Sequence, residues 1–377
     1  MWLVSRENKA MKILWLTWKD RSHPLAGGAE VVNEELAKRL VKDGHEVLFL
    51  TGGFPGGLAR VSRDGFDIIR LGGRYSVYWH AYRYYKRNLA AWPDLVIDEM
   101  NTIPFFARYY VKQRNIMFVH QLCREIWFYQ MPFPLSLAGY FLEPLYLRLL
   151  NDREVITVSE STKRDLVCYG FNPLKVHIIS EGVEIESLAT LADVEKFPQP
   201  TILALGAIRP MKRTMDTLRA FEVLKKTVPD ARLIIAGASE GAYGERVFST
   251  AKLSPYVRDI ECLGGVSNEH KLELLRRSHI LSVTSVKEGW CLVVTEANSQ
   301  GTPAVVYDAD GLRDSVRDGE TGRVVAENSP EALALAMSGL LSDHAFYEQL
   351  RMDGWKWSKE IAFDKSYRDF VSFLHHV

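Results

Sequence analysis

The sequence contains few cysteines, and they follow no pattern that would give them a structural role. The four residues are Cys123, Cys168, Cys262 and Cys291. They include no C-x-x-C pair, and no histidine stands near them at a metal-ligand spacing. This scatter disfavours a disulfide framework or a zinc site, and it is typical of proteins from a reducing compartment.

Long hydrophobic runs are also missing. No uninterrupted apolar stretch reaches the roughly 18 residues that a membrane-spanning helix needs. The opening "MWLVSRENKAMKILWLTW" lacks the apolar core and the A-x-A cleavage pattern of a signal peptide. We therefore predict a cytoplasmic protein, and we interpret residues 1–10 as a flexible N-terminal extension before the first strand.

Neither sign of charge is in excess. The 377 residues include 47 lysines and arginines and 47 aspartates and glutamates, so the chain as a whole has no field that would attract nucleic acid. An apolar content of 47% is typical of a globular protein. The length favours two domains over one.

Strand patterns alternate with helical patterns along most of the chain. One series runs from "KILWLTW" (12–18) to "VHIIS" (176–180), and a second from "TILALG" (201–206) to "GRVVA" (322–326). This alternation indicates parallel sheets covered by helices on both faces. We predict an α/β protein of two doubly wound, Rossmann-like domains that face each other across a deep cleft, where such sheets bind ligands. The predicted bounds are 11–185 for the first domain, 186–200 for a linker and 201–359 for the second domain.

Two glycines follow the first predicted strand. Gly27 and Gly28 lie where the strand would turn into a helix, and there backbone N–H groups could approach an anion with help from the helix dipole. A plain tight turn is the alternative. The G-x-G-x-x-G fingerprint and the P-loop lysine are both absent, which argues against an NAD-dependent dehydrogenase or a P-loop enzyme.

A pair of cations follows the first strand of the second series. In "LGAIRPMKRTMDTLRAFEVL" (205–224), Pro210 suits a first helical turn, and Arg209 and Lys212 stand at the entrance of that helix. Two cations at a helix N-terminus oppose the helix dipole unless an anion lies between them. A diphosphate is a natural guest, and two solvated surface charges are the alternative.

Two glutamates, Glu288 and Glu296, bracket the stretch "EGWCLVVTE". The first lies in a predicted loop and the second about one turn into the next helix. Carboxylates accept hydrogen bonds from vicinal hydroxyls, which suits the diols of a sugar and a ribose. Gly289 would let backbone N–H groups approach the same ligand. Alternatively, Glu296 is an ordinary acid near a helix N-terminus.

One histidine stands at the cleft side of the first domain. His120 ends the predicted strand "IMFVH", at the carboxyl edge where cleft residues belong. A histidine in this position contacts a ligand or has a purely structural role, and the residues alone leave both interpretations open.

Taken together, these motifs resemble the retaining GT-B glycosyltransferases of family 4. The likeness covers about residues 11–377 and rests on six stretches in this order. They are "GGAE", "VSESTKRDL", "ISEGVE", "LGAIRPMKRT", "KEGWCLVVTEANSQGTPAVV" and "GLRDSVRDGETG".

The resemblance implies a nucleotide-diphosphate sugar as donor. It implies that Glu288 contacts the transferred sugar, that Glu296 contacts the ribose, and that Arg209 and Lys212 hold the diphosphate. His120 would contact the sugar or the reacting centre, so the implied catalytic residues are His120, Arg209, Lys212 and Glu288. The implied donor-binding residues are Gly27, Gly28, Arg209, Lys212, Glu288, Gly289, Trp290, Cys291, Leu292 and Glu296.

The resemblance also implies a mechanism that retains the anomeric configuration and requires neither a metal nor a cofactor. In family members a final helix, here 360–377, packs back on the acceptor-side first domain. Trp290 and Cys291 stand where the family usually has glycine or another small residue, which leaves the identity of the sugar open. Cys291 has no paired base, and we interpret it as a packing residue.

The acceptor is the least determined partner. Two aromatic stretches of the first domain, 74–88 and 123–150, could stack on sugars, dock on an anionic bilayer at the inner face of a membrane, or pack in the core. Family frequency favours UDP-glucose or another UDP-hexose as donor. The acceptor is then a glycan, a lipid-linked molecule or a small molecule.

The remaining alternatives differ in what they do with the donor. A nucleotide-sugar epimerase of the same fold would need no acceptor. A phosphorylase would need a lysine for pyridoxal phosphate and a much longer chain. A degenerate transferase that only binds nucleotide-sugars or glycans would not need Arg209, Lys212, Glu288 and Glu296.

Overall fold

The first half of the chain folds around one large sheet. A computed structural model describes residues 10–192, 194–239 and 241–376. The predicted extension, residues 1–10, therefore lies outside the described residues except for its last position. The strands of the first domain are β1 Lys12–Leu16, β2 Glu46–Thr51, β3 Arg60–Arg63, β4 Phe66–Arg70, β5 Leu95–Met100, β6 Arg114–Val119, β7 Val155–Thr157 and β8 Val176–Ile178.

Helices cover both faces of this sheet. In chain order they are α1 Gly28–Lys42, α2 Val77–Tyr84, α3 Trp127–Gln130, α4 Leu135–Leu149 and α5 Glu160–Cys168. A π-helical turn extends α2 over Tyr85–Leu89, and a 3-10 turn at Arg124–Ile126 leads into α3. The aromatic stretches 74–88 and 123–150 are therefore mostly helical.

Helix α1 shows how the sequence sets a helix and its inner face. Val32, Leu36 and Leu40 recur every four residues and are buried against the sheet. Gly44, just beyond the end of the helix, has φ +89°, a left-handed conformation that glycine adopts without strain.

The second domain repeats the design with a smaller sheet. Its strands are β9 Thr201–Leu205, β10 Arg232–Ala236, β11 Ile260–Gly264, β12 Ile280–Val283, β13 Ala304–Tyr307 and β14 Gly322–Val325. Its helices, with those that close the chain, are α6 Thr214–Leu224, α7 Gly241–Leu253, α8 Asn268–Arg277, α9 Leu292–Ser299, α10 Leu312–Ser315, α11 Pro330–Ser342, α12 His344–Ser358 and α13 Phe363–His376.

Both sheets have the doubly wound order in which the chain starts at the centre and winds outward in each direction. Within the described residues the orders are β3-β4-β2-β1-β5-β6-β7-β8 and β11-β10-β9-β12-β13-β14. Their strand pairs are parallel except for β3 with β4. This hairpin was not predicted, although its turn, Asp64–Gly65, has the positive φ angles of a tight hairpin connection.

The helix predicted to begin at Pro210 begins later. Pro210–Lys212 forms a 3-10 turn, Arg213 follows with φ +49°, and α6 starts only at Thr214. Arg209 and Lys212 therefore lie on a separate loop between β9 and α6, not in the first turn of that helix.

The final helix, α13, packs on the first domain. Phe370 stacks near Trp15 of β1, with ring centroids 6.3 Å apart. The hydroxyl of Tyr367 donates to Asp43 over 2.7 Å, and the Arg114 guanidinium donates to the Leu374 carbonyl over 2.7 Å. The chain thus returns from the second domain to close the first.

Within the predicted linker, 186–200, Lys196 attaches the chain to the second domain. The ammonium of Lys196 donates to carbonyl oxygens of Arg276, Ser278 and Gly301 at 2.8–2.9 Å and to the Thr302 hydroxyl at 2.7 Å. Among the described helices, none combines the length and the apolar character needed to cross a bilayer.

Candidate active site

The carboxyl ends of the two sheets meet at the cleft. A Cβ atom built on Gly289, in the loop after β12, would lie 2.5 Å from the His120 carbonyl oxygen at the end of β6. Only glycine allows the two domains to approach this closely. Nearby, a Cβ on Gly28 would lie 3.1 Å from the Leu292 side chain, so the N-termini of α1 and α9 face each other.

A lysine links the domains beside this contact. The Lys287 ammonium lies 2.6 Å from the Asp165 carboxylate of α5 and 2.8 Å from the Asp310 carboxylate of the second domain. Burial acts to lower the pKa of Lys287, but the hydrogen bonds and charges of the two aspartates raise it above its ordinary value. The lysine therefore holds the loop that carries Glu288 against the first domain as a permanent cation.

Replacing Lys287 by methionine is expected to destabilise the closed arrangement. The change leaves Asp165 and Asp310 near each other without the cation between them. Each carboxylate is about a quarter exposed, so we expect a loss of about 2 kcal/mol, below the cost for a fully buried pair. The melting temperature measures it. Lys252→Met, at an exposed position of α7, is the control, and an equal melting temperature for the two variants would contradict the linking role of Lys287.

Arg209 and Lys212 lie together on the loop after β9. The Thr284 hydroxyl fixes this loop by donating to the Lys212 carbonyl over 2.9 Å. The Arg209 Nε atom is buried and has no hydrogen-bond partner among the described residues. The Lys212 ammonium pairs with the Glu288 carboxylate. A buried guanidinium nitrogen without a partner favours an anion at this loop, because unpaired buried donors are costly.

The backbone of Glu288 is fixed by the segment around Asp310. Its N–H donates to the Asp310 carbonyl over 2.9 Å. Gly311 has φ +78°, and a Cβ there would lie 2.3 Å from the Glu288 carbonyl oxygen. The "DADGLRDS" segment is therefore shaped to receive the Glu288 loop, and the side chain of Glu288 is oriented toward Lys212.

Glu296 lies on α9, one turn in from the N-terminus of the helix. Its carboxylate pairs with the ammonium of Lys271 on α8 over 2.7 Å. Lys271 was not predicted, because "NEHKLELLRR" has the pattern of an ordinary amphipathic helix. The two glutamates that bracket "EGWCLVVTE" are thus each paired with a lysine from another element.

Trp290 and Cys291, which lie between the two glutamates, are buried. The Trp290 indole packs 6.1 Å from the Trp357 ring and donates to the Thr295 hydroxyl over 3.0 Å. Cys291, the N-cap residue directly before α9, has φ +84° and is buried. Burial raises the pKa of its thiol, which keeps the thiol protonated and unreactive. Both side chains pack in the protein interior, and Gly289 is the position where the backbone meets the first domain.

His120 is enclosed by hydrogen-bond acceptors. Its Nδ1 lies 3.0 Å from the Glu181 carboxylate and its Nε2 lies 3.3 Å from the Asn33 side-chain oxygen. The Asn33 amide donates to Glu99, which fixes the direction of that side chain. Two acceptors at the two ring nitrogens are satisfied together only by the doubly protonated imidazolium.

The charges around His120 act in the same direction. Burial tends to lower the pKa of His120, but the Glu181 hydrogen bond and the carboxylates of Glu99, Glu181 and Glu30 raise it above its ordinary value. Burial also raises the pKa of Glu99 to about 7, and the nearby His120 opposes that shift. His120 was predicted as a site residue but its partners were not, because they come from three separate segments: α1, β5 and the loop after β8.

Replacing Glu181 by glutamine is expected to lower the pKa of His120 and to change the pH dependence of stability. A raised folded-state pKa stabilises the fold fully below the unfolded value, about 6.5, and this stabilisation is lost as pH rises through the folded value. We therefore expect the variant to be less stable than wild type near pH 6, and the difference to shrink near pH 9. Urea unfolding at both pH values measures it.

Glu184→Gln is the control for this change, since Glu184 forms an exposed pair with Arg21. Exposed pairs contribute little to stability. A difference between wild type and Glu181→Gln that is the same at both pH values would contradict the charged state assigned to His120.

Two family models match the chain one after the other. The model described as Glycosyltransferase Family 4 matches residues 26–187, and the model described as Glycosyl transferases group 1 matches residues 192–357. The first match contains Gly27, Gly28 and His120. The second contains Arg209, Lys212 and both cleft glutamates.

Individual relatives are distant. A D-inositol 3-phosphate glycosyltransferase from Rhodococcus jostii is 26% identical over 205 residues, which are 51% of this chain and 45% of that protein. The chain thus spans about half the length of the curated relatives it matches.

Solved structures match nearly the whole chain. Sucrose-phosphate synthase from Thermosynechococcus elongatus has a TM-score of 0.79 at 17% identity, covering 97% of this chain and 98% of that one. Anabaena HepE in complex with UDP and glucose has a TM-score of 0.74 at 15% identity, covering 97% and 100%. At these identities the likeness shows the fold alone.

Proposed function

Because the chain belongs to family 4 of the glycosyltransferases, with the GT-B fold, we propose that it transfers a hexose from a UDP-sugar to an acceptor hydroxyl. The transfer retains the anomeric configuration. UDP-glucose or another UDP-hexose is the donor, and the acceptor is a glycan, a lipid-linked molecule or a small molecule.

The buried, unsatisfied Nε of Arg209 is the observation that carries this proposal. It lies on the same loop as Lys212, whose ammonium pairs with Glu288 in the loop that leads into α9. Helix N-termini and arginine side chains both favour phosphate groups. A diphosphate between the domains would satisfy Arg209 and would bring Lys212 a second anionic partner beside Glu288.

The two lysine–glutamate pairs support the placement of the sugar and the ribose on either side of the diphosphate. Glu288, beside Lys212, accepts hydrogen bonds from hydroxyls of the hexose. Glu296, oriented by Lys271, accepts from the ribose hydroxyls. Each lysine fixes its glutamate before the donor arrives, which lowers the entropic cost of binding.

In the proposed reaction the acceptor oxygen attacks the anomeric carbon from the face that the leaving group occupies. The bond from that carbon to the diphosphate oxygen breaks, and the proton of the acceptor hydroxyl passes to the departing diphosphate. Arg209 and Lys212 stabilise the negative charge that develops there, the task that a metal ion performs in other transferases. Contact between the domains at Gly289 and Lys287 keeps water from the donor.

The surroundings of His120 restrict its role. Its two ring nitrogens face Glu181 and Asn33, so neither is free to accept the proton of the acceptor, and we propose for His120 a contact to the sugar or the reacting centre. Its positive charge, on the first-domain side of the cleft, would complement the diphosphate from the side opposite Arg209.

HepE, which shares the fold, has been seen with UDP and glucose, and this supports a UDP-sugar as donor. The proposal is tested by incubating the protein with UDP-glucose, UDP-galactose or GDP-mannose and a panel of sugar and lipid-linked acceptors. Acceptor-dependent release of UDP is expected, with NMR of the product showing the donor's anomeric configuration.

Other outcomes would identify the alternatives. Inversion of the configuration would contradict the mechanism but not the transfer. Conversion of the UDP-sugar to its epimer without an acceptor would identify an epimerase. Binding of the donor with no release of UDP for any acceptor would favour a degenerate, non-catalytic binding protein.

A further inference from the structure

One face of α4 is apolar and exposed along its whole length. Phe141 is 64% exposed, and Phe133, just before the helix, is 80% exposed. A helix of 15 residues is about 22 Å long, so this is an extended stripe and not a single exposed side chain. We call it the α4 face, and it consists of Leu135, Ala138, Phe141, Leu142, Leu145 and Leu149.

The opposite side of α4 fixes which residues are exposed. Glu143, the acid of this helix, is fully buried, and its carboxylate accepts from the backbone N–H groups of Cys123 and Arg124 over 2.7 Å and from the Trp127 indole over 3.0 Å. A Cβ on Gly139 would lie 2.4 Å from the same indole. Because these contacts set the rotation of the helix, the apolar side is exposed as a defined feature of the fold.

Cations border this face and outnumber the acids near it, of which Asp152, just after the helix, is paired with Arg108. Residues 126–142 contain no aspartate or glutamate, and Arg148 is exposed near the end of the helix. Residues 74–93 likewise contain no acid, and they expose Arg83, Lys86 and Arg87. In a chain with no net charge, this is a local excess of positive charge beside an apolar stripe.

These cations adjoin the C-terminal end of the α4 face. The Tyr109 hydroxyl donates to the Leu149 carbonyl over 3.1 Å, and the Lys86 ammonium donates to the Tyr110 carbonyl over 3.1 Å. The segment that carries Tyr109 and Tyr110 therefore connects the end of α4 to the basic π-helical turn. Apolar side chains next to lysines and arginines are the composition of an interfacial membrane helix.

We propose that the α4 face docks on an anionic lipid bilayer, with its apolar side chains among the acyl chains and Arg83, Lys86, Arg87 and Arg148 near the lipid phosphates. Charge favours lipid over a second copy of the chain. A symmetric dimer would bring the same excess of cations to both sides of the interface. Lipid phosphates supply the missing counter-charge.

The α4 face is connected to the cleft through the helix that precedes it. Helix α3, directly before α4, touches the loop of Arg209 and Lys212, where the Gln130 side-chain amide lies 3.6 Å from the Met211 sulfur. If the protein is the transferase proposed above, docking would present the cleft to acceptors whose lipid tails remain in the membrane. The docking itself is independent of the transfer reaction and is measured without substrate.

Co-sedimentation of the whole protein with vesicles tests the proposal. One set contains phosphatidylcholine alone, and the other contains phosphatidylcholine mixed with phosphatidylglycerol. We expect binding to the mixed vesicles only. Leu145→Asp should weaken it by at least about tenfold, because a charge enters the apolar region. Lys86→Glu should weaken it by roughly fivefold or more. The matched control is Leu335→Asp, an exposed leucine in the middle of α11.

The outcomes separate the occupants of the face. No binding of wild type to the mixed vesicles, or equal binding by Leu145→Asp, would overturn the proposal. A concentration-dependent dimer that Leu145→Asp converts to a monomer, with no vesicle binding, would identify a second copy as the occupant. Since Leu145 and Lys86 lie outside the donor site, UDP release with a water-soluble acceptor should continue in both variants, which distinguishes failure of docking from failure of the proposed function.

Discussion

Replacing Arg209 by alanine is expected to lower kcat/KM by about 10²- to 10³-fold, the effect of removing one preorganised group from developing negative charge. The Nε of Arg209 is buried without a protein partner among the described residues, and the terminal guanidinium nitrogens are the atoms that a ligand would contact. Because the diphosphate gains charge as the sugar departs, the loss should fall mainly on kcat. Steady-state kinetics measures kcat and KM, with the donor that gives UDP release as the substrate.

Arg258→Ala is the matched control, since Arg258 is exposed on the far part of the second domain, after α7. It should leave kcat and KM unchanged. Near-normal turnover of Arg209→Ala would contradict the role of this residue at the diphosphate. A rise in KM with unchanged kcat would instead limit that role to binding the ground state.

Replacing Glu288 by glutamine is expected to lower kcat/KM by about 10²-fold, because a charged acceptor of sugar hydroxyls becomes a neutral one. The change also releases Lys212 from its ion pair, so UDP, which has no hexose, should bind as well as or better than in wild type. Comparing the affinities of UDP and UDP-hexose by calorimetry separates the two effects.

Glu273→Gln, in an exposed i,i+4 pair with Arg277 on α8, is the control for Glu288. It should change neither affinity. Equal losses of affinity for UDP and UDP-hexose in Glu288→Gln would place Glu288 at the nucleotide and not at the sugar.

Much of the fold could be predicted from the sequence. The two series of apolar strands separated by helices predict two doubly wound domains, and the matching structures confirm the GT-B fold. The family resemblance is confirmed by the two family models. The β3 hairpin was missed because its strand, "RVSR", is a short polar edge without the apolar run that marks the inner strands.

The candidate site was only partly predictable. Residues within one motif, such as Glu288 and Glu296, are visible in a sequence because their spacing is fixed by one loop and one helix. Their ion pairs are not visible in this way: Lys212 was predicted for the diphosphate and not for Glu288, and Lys271 lies on a separate helix, where lysine is common. The same holds for His120, whose state depends on Asn33 and Glu181, 87 and 61 positions away in the chain.

A local backbone effect explains the misplaced start of α6. Proline favours a first helical turn, which predicted a helix from Pro210. Arg213, however, adopts φ +49°, which interrupts the helix after one 3-10 turn. The interruption keeps Arg209 and Lys212 on a loop whose backbone is held by Thr284, and a loop can present both side chains to one ligand.

The placement of a nucleotide-sugar between the two domains is tested most directly by thermal unfolding of wild type and Glu296→Ala with UDP, GDP, ADP and their hexose conjugates. At a hundred times its dissociation constant, one nucleotide should stabilise wild type by about 2.7 kcal/mol. That stabilisation should be much reduced in Glu296→Ala and unchanged in the control Glu245→Ala, at an exposed position of α7. If no nucleotide raises the melting temperature of wild type, or if Glu296→Ala responds as wild type does, the proposed donor site is wrong.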